Sequence, residues 1–212
     1  MNSPSDTPAH SHYFTESPSS ASQRHHFSVV VNHRELTLST DSGVFSQHGL
    51  DKGTAVLLDA MEKEPTAPLP DGSVICDLGC GTGVIALALA VLYPHCTILA
   101  VDVNERAREL CSENAVNNQL TNIKVADPRD ADDNTQLSGI WSNPPIRIGK
   151  DALHELLITW LARLTPTAEA RLVVSKNLGA DSLTHWLNEQ GFPTNKLSSS
   201  KGFRVLAVRS HQ

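Results

Sequence analysis

The sequence predicts an α/β fold in which a mostly parallel seven-stranded sheet carries helices on both faces. Three observations lead there. From Ser73 onward, short apolar runs alternate with helical patterns at the period of βαβ units. The glycine-rich stretch Asp77-Leu78-Gly79-Cys80-Gly81-Thr82-Gly83 falls where the first of these runs passes into a helix. The chain closes on two apolar runs separated by Ser200-Lys201, a turn so tight that they must pair antiparallel.

The elements follow in order. Residues 1–11 are polar and proline-bearing, with too little apolar surface to offset the entropy of ordering, and are expected to form a disordered tail. A single domain is expected over 12–210, its first part (12–64) a hairpin and a helix, its core 73–210. Strands over 26–31 and 35–39 flank Asn32-His33-Arg34 as an N-terminal β-hairpin. Leu50, Leu57, Leu58 and Met61 mark a helical face over 50–61, and a linker with three prolines follows. Next come a strand over 73–78, a helix over 82–92, a strand over 96–103, a helix over 104–118 and strands over 122–126 and 139–143. A helix over 150–164, a strand over 170–176, a helix over 181–190 and strands over 195–199 and 202–208 complete the chain. In such a sheet the ligand sits at the carboxyl ends of the strands.

Composition narrows the classes. With 212 residues and 40% hydrophobic content a large core can be buried. No apolar run approaches the roughly 20 residues that span a bilayer, and the polar start lacks the marks of a signal peptide, so a cytoplasmic location without membrane is expected. Cys76, Cys80, Cys96 and Cys111 form no CxxC pair and read as reduced core thiols. The ten histidines, among them His10, His12, His25 and His26, supply no Cys/His quartet with ligand spacing, so no metal is expected. The net charge of −6 is divided: residues 1–142 carry 8 Lys+Arg against 18 Asp+Glu (net −10), residues 143–212 carry 9 against 5 (net +4). Any footprint for phosphate belongs to the C-terminal part.

Glycines at every second position, with Val84 where a dinucleotide fingerprint needs glycine, argue against a pyrophosphate ligand. Asp77 at the strand's end would repel phosphate and attract an ammonium, and S-adenosylmethionine carries an ammonium and a sulfonium. Asp102, 25 positions on, ends the next strand, where a carboxylate can accept two hydrogen bonds from a ribose diol. Asp127, after the third strand, either contacts the adenine amine or is one of several loop acids. Taken singly, these acids also read as helix caps and the glycines as turn formers.

About sixty residues after the glycine stretch comes Asn143-Pro144-Pro145-Ile146. Two prolines without N–H beside a side-chain carbonyl leave a surplus of acceptors, a surface suited to an incoming NH2 group. Alone, the same residues also describe a strand-ending turn. Asn143 and the carbonyl of Pro144 can each take one N–H, favouring a pyramidal nitrogen, and Asn in place of Asp keeps the site neutral.

With these residues in place, the chain resembles class I S-adenosylmethionine-dependent methyltransferases acting on amine nitrogens, a Rossmann-like fold whose mostly parallel seven-stranded sheet has one antiparallel C-terminal edge strand. More narrowly, Gly43-Val44-Phe45-Ser46, Leu50-Asp51-Lys52-Gly53-Thr54, Ser142 to Lys150 and Lys201-Gly202-Phe203-Arg204-Val205-Leu206 resemble the bacterial guanine-N2 methyltransferases of 16S ribosomal RNA. The resemblance implies S-adenosyl-L-methionine as cofactor, ribosomal RNA or the small ribosomal subunit as partner, and N2-methylguanosine as product. It implies catalytic roles for Asn143, Pro144 and Pro145. Cofactor contacts are implied for Asp77, Gly79, Cys80, Gly81, Gly83, Asp102, Val103, Asp127 and Asn143, with Phe45, Gly53 and Thr54 across the methionine end. Ile146, where the family often has an aromatic residue, is expected to pack on the base, with Phe203 and Tyr13 as stacking candidates. Arg147 and Lys150 are expected to meet phosphates. Leu153, Leu156, Leu157, Trp160, Leu161 and Leu164 recur at helical spacing and read as core. The acceptor pattern alone also admits adenine N6 or a protein glutamine amide, and a binding module without turnover.

Overall fold

The computed structural model describes residues 22–45 and 49–210; the tail over 1–11, Tyr13 and Ser46 lie outside the described residues. The elements are β1 (His25–Val31), β2 (Arg34–Thr40), α1 (Lys52–Lys63), β3 (Val74–Leu78), α2 (Val84–Leu92), β4 (Thr97–Val101), α3 (Glu105–Asn117) and β5 (Ile123–Ala126), then β6 (Leu137–Ser142), α4 (Lys150–Leu161), β7 (Leu164–Ser175), α5 (Ala180–Glu189), β8 (Thr194–Ser200) and β9 (Phe203–Arg209). Short 3-10 turns follow β6 at Ile146–Ile148 and β7 at Lys176–Leu178.

The main sheet has the order β5-β4-β3-β6-β7-β9-β8, and β1 pairs with β2 in a separate antiparallel hairpin. Strands β3 to β7 run parallel; β9 is antiparallel to β7 and to β8, between which it lies at the C-terminal side of the sheet. The order reverses at β3, whose neighbours are β4 on one side and β6 on the other, and a crevice opens beyond the carboxyl ends of these strands.

Strand periodicity divides the core. Ile75, Ile98, Ala100, Trp141, Val173 and Val205 point to one face, where α1, α2 and the hairpin residues Val29, Val31, Leu36 and Leu38 cover them. Their neighbours Cys76, Val101, Ile140, Leu172, Val174 and Leu206 point to the other, under Leu153, Leu157 and Trp160 of α4 and Leu183 and Leu187 of α5. All four cysteines are buried and free. Burial on both faces explains why the central strands read as unbroken apolar runs.

Most boundaries differ from expectation by a residue or two, and two of the shifts have a clear backbone cause. Helix α2 begins at Val84 because Gly83 takes a left-handed conformation (φ 88°) as its N-cap. Helix α4 ends at Leu161, and Leu164, expected as its last core residue, opens β7 by pairing with Leu137. The register then jumps to Gly139↔Glu169, an irregularity that accommodates Pro166, which has no N–H for a ladder.

Candidate active site

The crevice holds a cleft of about 620 Å³. One half is walled by Gly79, Gly81, Asp102, Val103, Asn104 and Pro128, the other by Asn143, Pro144, Ile146, Leu156, Leu178 and Phe203, with Val44, Phe45 and the segment Gly49 to Lys52 contributing a third side. The two sequence motifs meet here: a Cβ placed on Gly79 would stand 3.9 Å from Cδ of Pro145. The Ser142 hydroxyl donates to the Leu78 carbonyl (2.6 Å), tying the end of β6 to the end of β3.

The glycine turn is left-handed at Gly79, Gly81 and Gly83 (φ 75°, 53° and 88°), which leaves bare backbone toward the cleft. The Gly81 N–H donates to one oxygen of Asp102 (2.9 Å) and the Asn104 N–H to the other (2.9 Å). Burial raises the Asp102 carboxyl above its ordinary range, while these two N–H groups and Arg108 oppose the rise. Asp102 is thus held rigidly at the cleft wall with lone pairs to spare. Val103, 38% exposed, supplies an apolar flank beside it.

Two residues expected at the cofactor stand back from the cleft wall. Asp77 is fully buried and does not line the cleft, because strand parity turns it toward α2. One of its oxygens accepts from the Ala86 N–H (2.8 Å) and so caps a helix whose N-cap glycine has no side chain; the other has no partner among the described residues. Burial pushes its carboxyl up to about 8. Asp127 also lies outside the cleft wall: Arg129 grips it through Nε (2.9 Å) and a terminal nitrogen (2.9 Å), and Arg108 adds an ion pair at 3.0 Å. Hydrogen bonds from Arg129 hold its carboxyl down at about 2, with burial opposing and Arg108 reinforcing.

Of the remaining expected residues, Phe45, Gly79, Gly81, Asp102, Val103, Asn143, Pro144, Pro145, Ile146, Arg147 and Phe203 line the cleft. Cys80 does not; it is buried, and a hydrogen bond with Cys111 together with that burial pushes its thiol well up. Gly83 serves the turn, and Lys150 stands outside the wall at the start of α4. Leu156, read as core, packs against the core under α4 and also lines the cleft.

Gly53 and Thr54 sit one layer behind Asn143. The Asn143 Nδ2 group donates to Asp51 Oδ2 (2.9 Å) and to Thr54 Oγ1 (3.1 Å). The same Asp51 oxygen accepts from the Gly53 N–H (2.7 Å) and the Thr54 N–H (3.1 Å), which makes it the N-cap of α1. A carboxylate only accepts, so it dictates which end of the amide it meets, and Oδ1 of Asn143 is left for the cleft. Space at Gly53 is tight: a Cβ there would stand 3.0 Å from both Asp51 and Phe203 and 3.3 Å from Asn143 Nδ2, so these side chains would have to give way. Beside Asn143, Pro145 forms an inverse γ-turn (φ −74°, ψ 72°) in which the Ile146 N–H donates to the Pro144 carbonyl (2.8 Å). That carbonyl keeps a second lone pair. The arrangement presents two acceptors, neutral and fixed, to a group entering the cleft.

Asp51, like Lys52, Asn104, Pro128 and Leu178 of the cleft wall, is given no role by the sequence. Its pattern, Asp51-Lys52-Gly53-Thr54, is that of an ordinary N-cap, and its contact with a residue 92 positions later has no local signal.

Comparison with known proteins accords with this geometry. The chain is 34% identical over 201 residues to the uncharacterized protein YbxB of Bacillus subtilis, covering 93% of this chain and 98% of that one. It is 30% identical over 187 residues to the ribosomal RNA small subunit methyltransferase C of Pseudomonas aeruginosa, covering 86% of this chain but 54% of that longer protein. Among solved structures, the T. thermophilus 16S rRNA N2 methyltransferase in complex with AdoMet and guanosine superposes with a TM-score of 0.73 at 22% identity, over 88% of this chain and 50% of the other. The profile of the family described as methyltransferase small domain matches residues 35–207, and the chain belongs to that family.

Proposed function

We propose that the protein transfers a methyl group from S-adenosylmethionine to the exocyclic N2 amine of a guanine in ribosomal RNA of the small subunit. The observation that carries this reading is the locked amide of Asn143, whose oxygen stands beside the Pro144 carbonyl across from the glycine turn. The relatives named as small-subunit RNA methyltransferases support the substrate class.

The residues fit the cofactor. The bare turn at Gly79 and Gly81 would admit its amino-acid portion, Asp102 would accept from the ribose hydroxyls, and Val103 and Pro128 would flank the adenine. When bound, S-adenosylmethionine supplies an electrophilic methyl group. The chain does the rest by alignment. An aromatic NH2 has its lone pair drawn into the ring; Asn143 Oδ1 and the Pro144 carbonyl each accept one N–H, favouring the pyramidal nitrogen and stabilising the charge that develops on it. Ile146, Leu156 and Phe203 form apolar walls that exclude water around the base. No strong base is needed, because the proton leaves to solvent after transfer.

The test is ribonucleoside mass spectrometry of small-subunit RNA from a strain lacking the gene. One N2-methylguanosine should disappear and return on complementation. An unchanged RNA profile, or methyl transfer found only in DNA or protein pools, refutes the substrate.

A further inference from the structure

Around the acceptor half of the cleft, five exposed cations stand on segments that converge only in the folded chain. Lys52 and Arg147 line the cleft itself, and Lys150 follows at the start of α4. Lys176 begins the 3-10 turn after β7, and Lys201 occupies the β8–β9 turn in a left-handed conformation (φ 48°). The last two are neighbours, since Ser175 pairs with Phe203 and the Lys176 N–H donates to the Gly202 carbonyl (2.9 Å). Among the described residues, none of the five makes an ion pair or a side-chain hydrogen bond. Elsewhere the chain pairs many of its cations: Arg24 with Glu113, Lys63 with Asp59, Arg108 and Arg129 with Asp127, and Arg204 with Asp181.

The opposite flank differs. Beyond the cofactor half lie Asp102, Glu105, Glu109, Asp127 and Asp130, and the cations among them, Arg108 and Arg129, are paired with Asp127. A polyanion is therefore drawn to the acceptor side of the opening, where the cations are not neutralised by neighbouring carboxylates, and its backbone is confined to that arc. Between the cations stand apolar groups: Leu178, 58% exposed, lies two residues past Lys176, and Phe203 lies two past Lys201, both facing into the cleft. Asn143, by contrast, is only partly exposed, set back behind these walls. A recessed acceptor of this kind suits a base turned out of its stack better than one held in a duplex.

Resting on the proposed function, we infer that Lys52, Arg147, Lys150, Lys176 and Lys201 form the track that holds the backbone of a single-stranded or locally opened RNA while Leu178 and Phe203 flank the extruded base. Phosphate contacts of this kind fix register without reading sequence, and they release counterions, so their number is legible in the salt dependence of binding.

The test uses the full chain and a fluorescein-labelled single-stranded RNA of mixed sequence, followed by anisotropy across a potassium chloride series. Log Kd should rise linearly with log salt for the wild type. The double variant Lys176→Gln with Lys201→Asn, the asparagine chosen because it tolerates the left-handed backbone, should flatten that slope by about 1.4, at roughly 0.7 for each phosphate of a single strand that is no longer neutralised. Its affinity for S-adenosylmethionine, read by calorimetry, should stay that of the wild type and show that the fold is intact. Lys124→Gln, an exposed cation on β5 at the far edge of the sheet, should leave the slope unchanged. An unaltered slope in the double variant, or an equal flattening in Lys124→Gln, overturns the track. Methylation that persists with the slope unchanged would sink the track alone. The expected slopes with N2-methylguanosine intact in the deletion strain would sink the substrate and leave an RNA-binding rim.

Discussion

Asn143 offers two N–H donors and one carbonyl, and the fold uses the donors to aim the carbonyl. Asp51 and Thr54 accept both N–H groups, so the amide cannot turn without facing two oxygens toward each other. Asp51→Ala should therefore lower the rate of methyl transfer about tenfold while cofactor affinity holds, because Asp51 sets orientation and not binding. Asn143→Asp should cost on the order of 10² to 10³, since it sets a second carboxylate against Asp51. The double swap, Asp51→Asn with Asn143→Asp, should recover at least about tenfold over Asn143→Asp, because the amide at position 51 then donates to the carboxylate at 143. Single-turnover rates decide this; a double swap no faster than Asn143→Asp would show that Asp51 does no more than cap α1. Asp77 belongs to the fold and not to the cleft, and its pH signature should say so. Its folded pKa of about 8 exceeds the ordinary 3.8, so folding takes up a proton; the associated stability is complete below about pH 4 and is lost as pH rises toward about 8. The difference in melting temperature between wild type and Asp77→Asn should thus move against the wild type as pH rises from about 4 to about 8. A constant difference would refute the raised pKa. Motif and spacing single out Asn143, Asp102 and Asp77 alike in the sequence; that the first two reach the cleft wall and Asp77 is buried under α2 depends on strand parity, which decides the face a side chain meets.

The N-terminal hairpin is attached to the core by side chains imitating a strand. Asn114 Oδ1 accepts from the Ser39 N–H (2.7 Å), and its Nδ2 donates to the Ser39 carbonyl (2.9 Å) and to the Thr82 carbonyl (2.9 Å). One turn on along α3, Asn118 makes the same pair of contacts with Thr37 (3.1 and 2.8 Å). Two asparagines four apart on a helix match two residues two apart on a strand, so β2 gains a surrogate partner along its outer edge. Asn114 is fully buried and Asn118 is not. Asn114→Ala should cost about 2 to 4 kcal/mol, because several polar groups lose their partner where water cannot replace it, and Asn118→Ala under about 1 kcal/mol. Urea midpoints at constant m-value test this, and equal losses would show that burial does not set the cost. The hairpin itself is legible in the sequence: Asn32 and His33 take the left-handed pair (φ 46° and 63°) that a two-residue turn demands. Its docking is not, since a polar Asn114 inside a helical pattern looks like solvent-facing surface until β2 is laid upon it.

At the scale of the whole molecule, the division of charge read along the chain becomes a division across the cleft. Acids gather by the ends of β4 and β5, and unpaired cations by the ends of β6 and β7 and the β8–β9 turn. Alternating apolar runs suffice to predict the parallel sheet, because a strand buried on both faces and a helix buried on one differ in period whatever they pack against. The glycine spacing and Asn-Pro-Pro likewise announce their chemistry in sequence, since backbone freedom and missing N–H groups belong to the residues themselves. Direction and partnership do not. That Asp127 is gripped by Arg129 and Arg108, that Leu156 faces the cleft and that Asp51 holds Asn143 from 92 positions away were decided only when the sheet order brought distant strand ends together. Local propensity determines what a segment can be; which carboxylate meets which donor depends on contacts that exist in three dimensions alone.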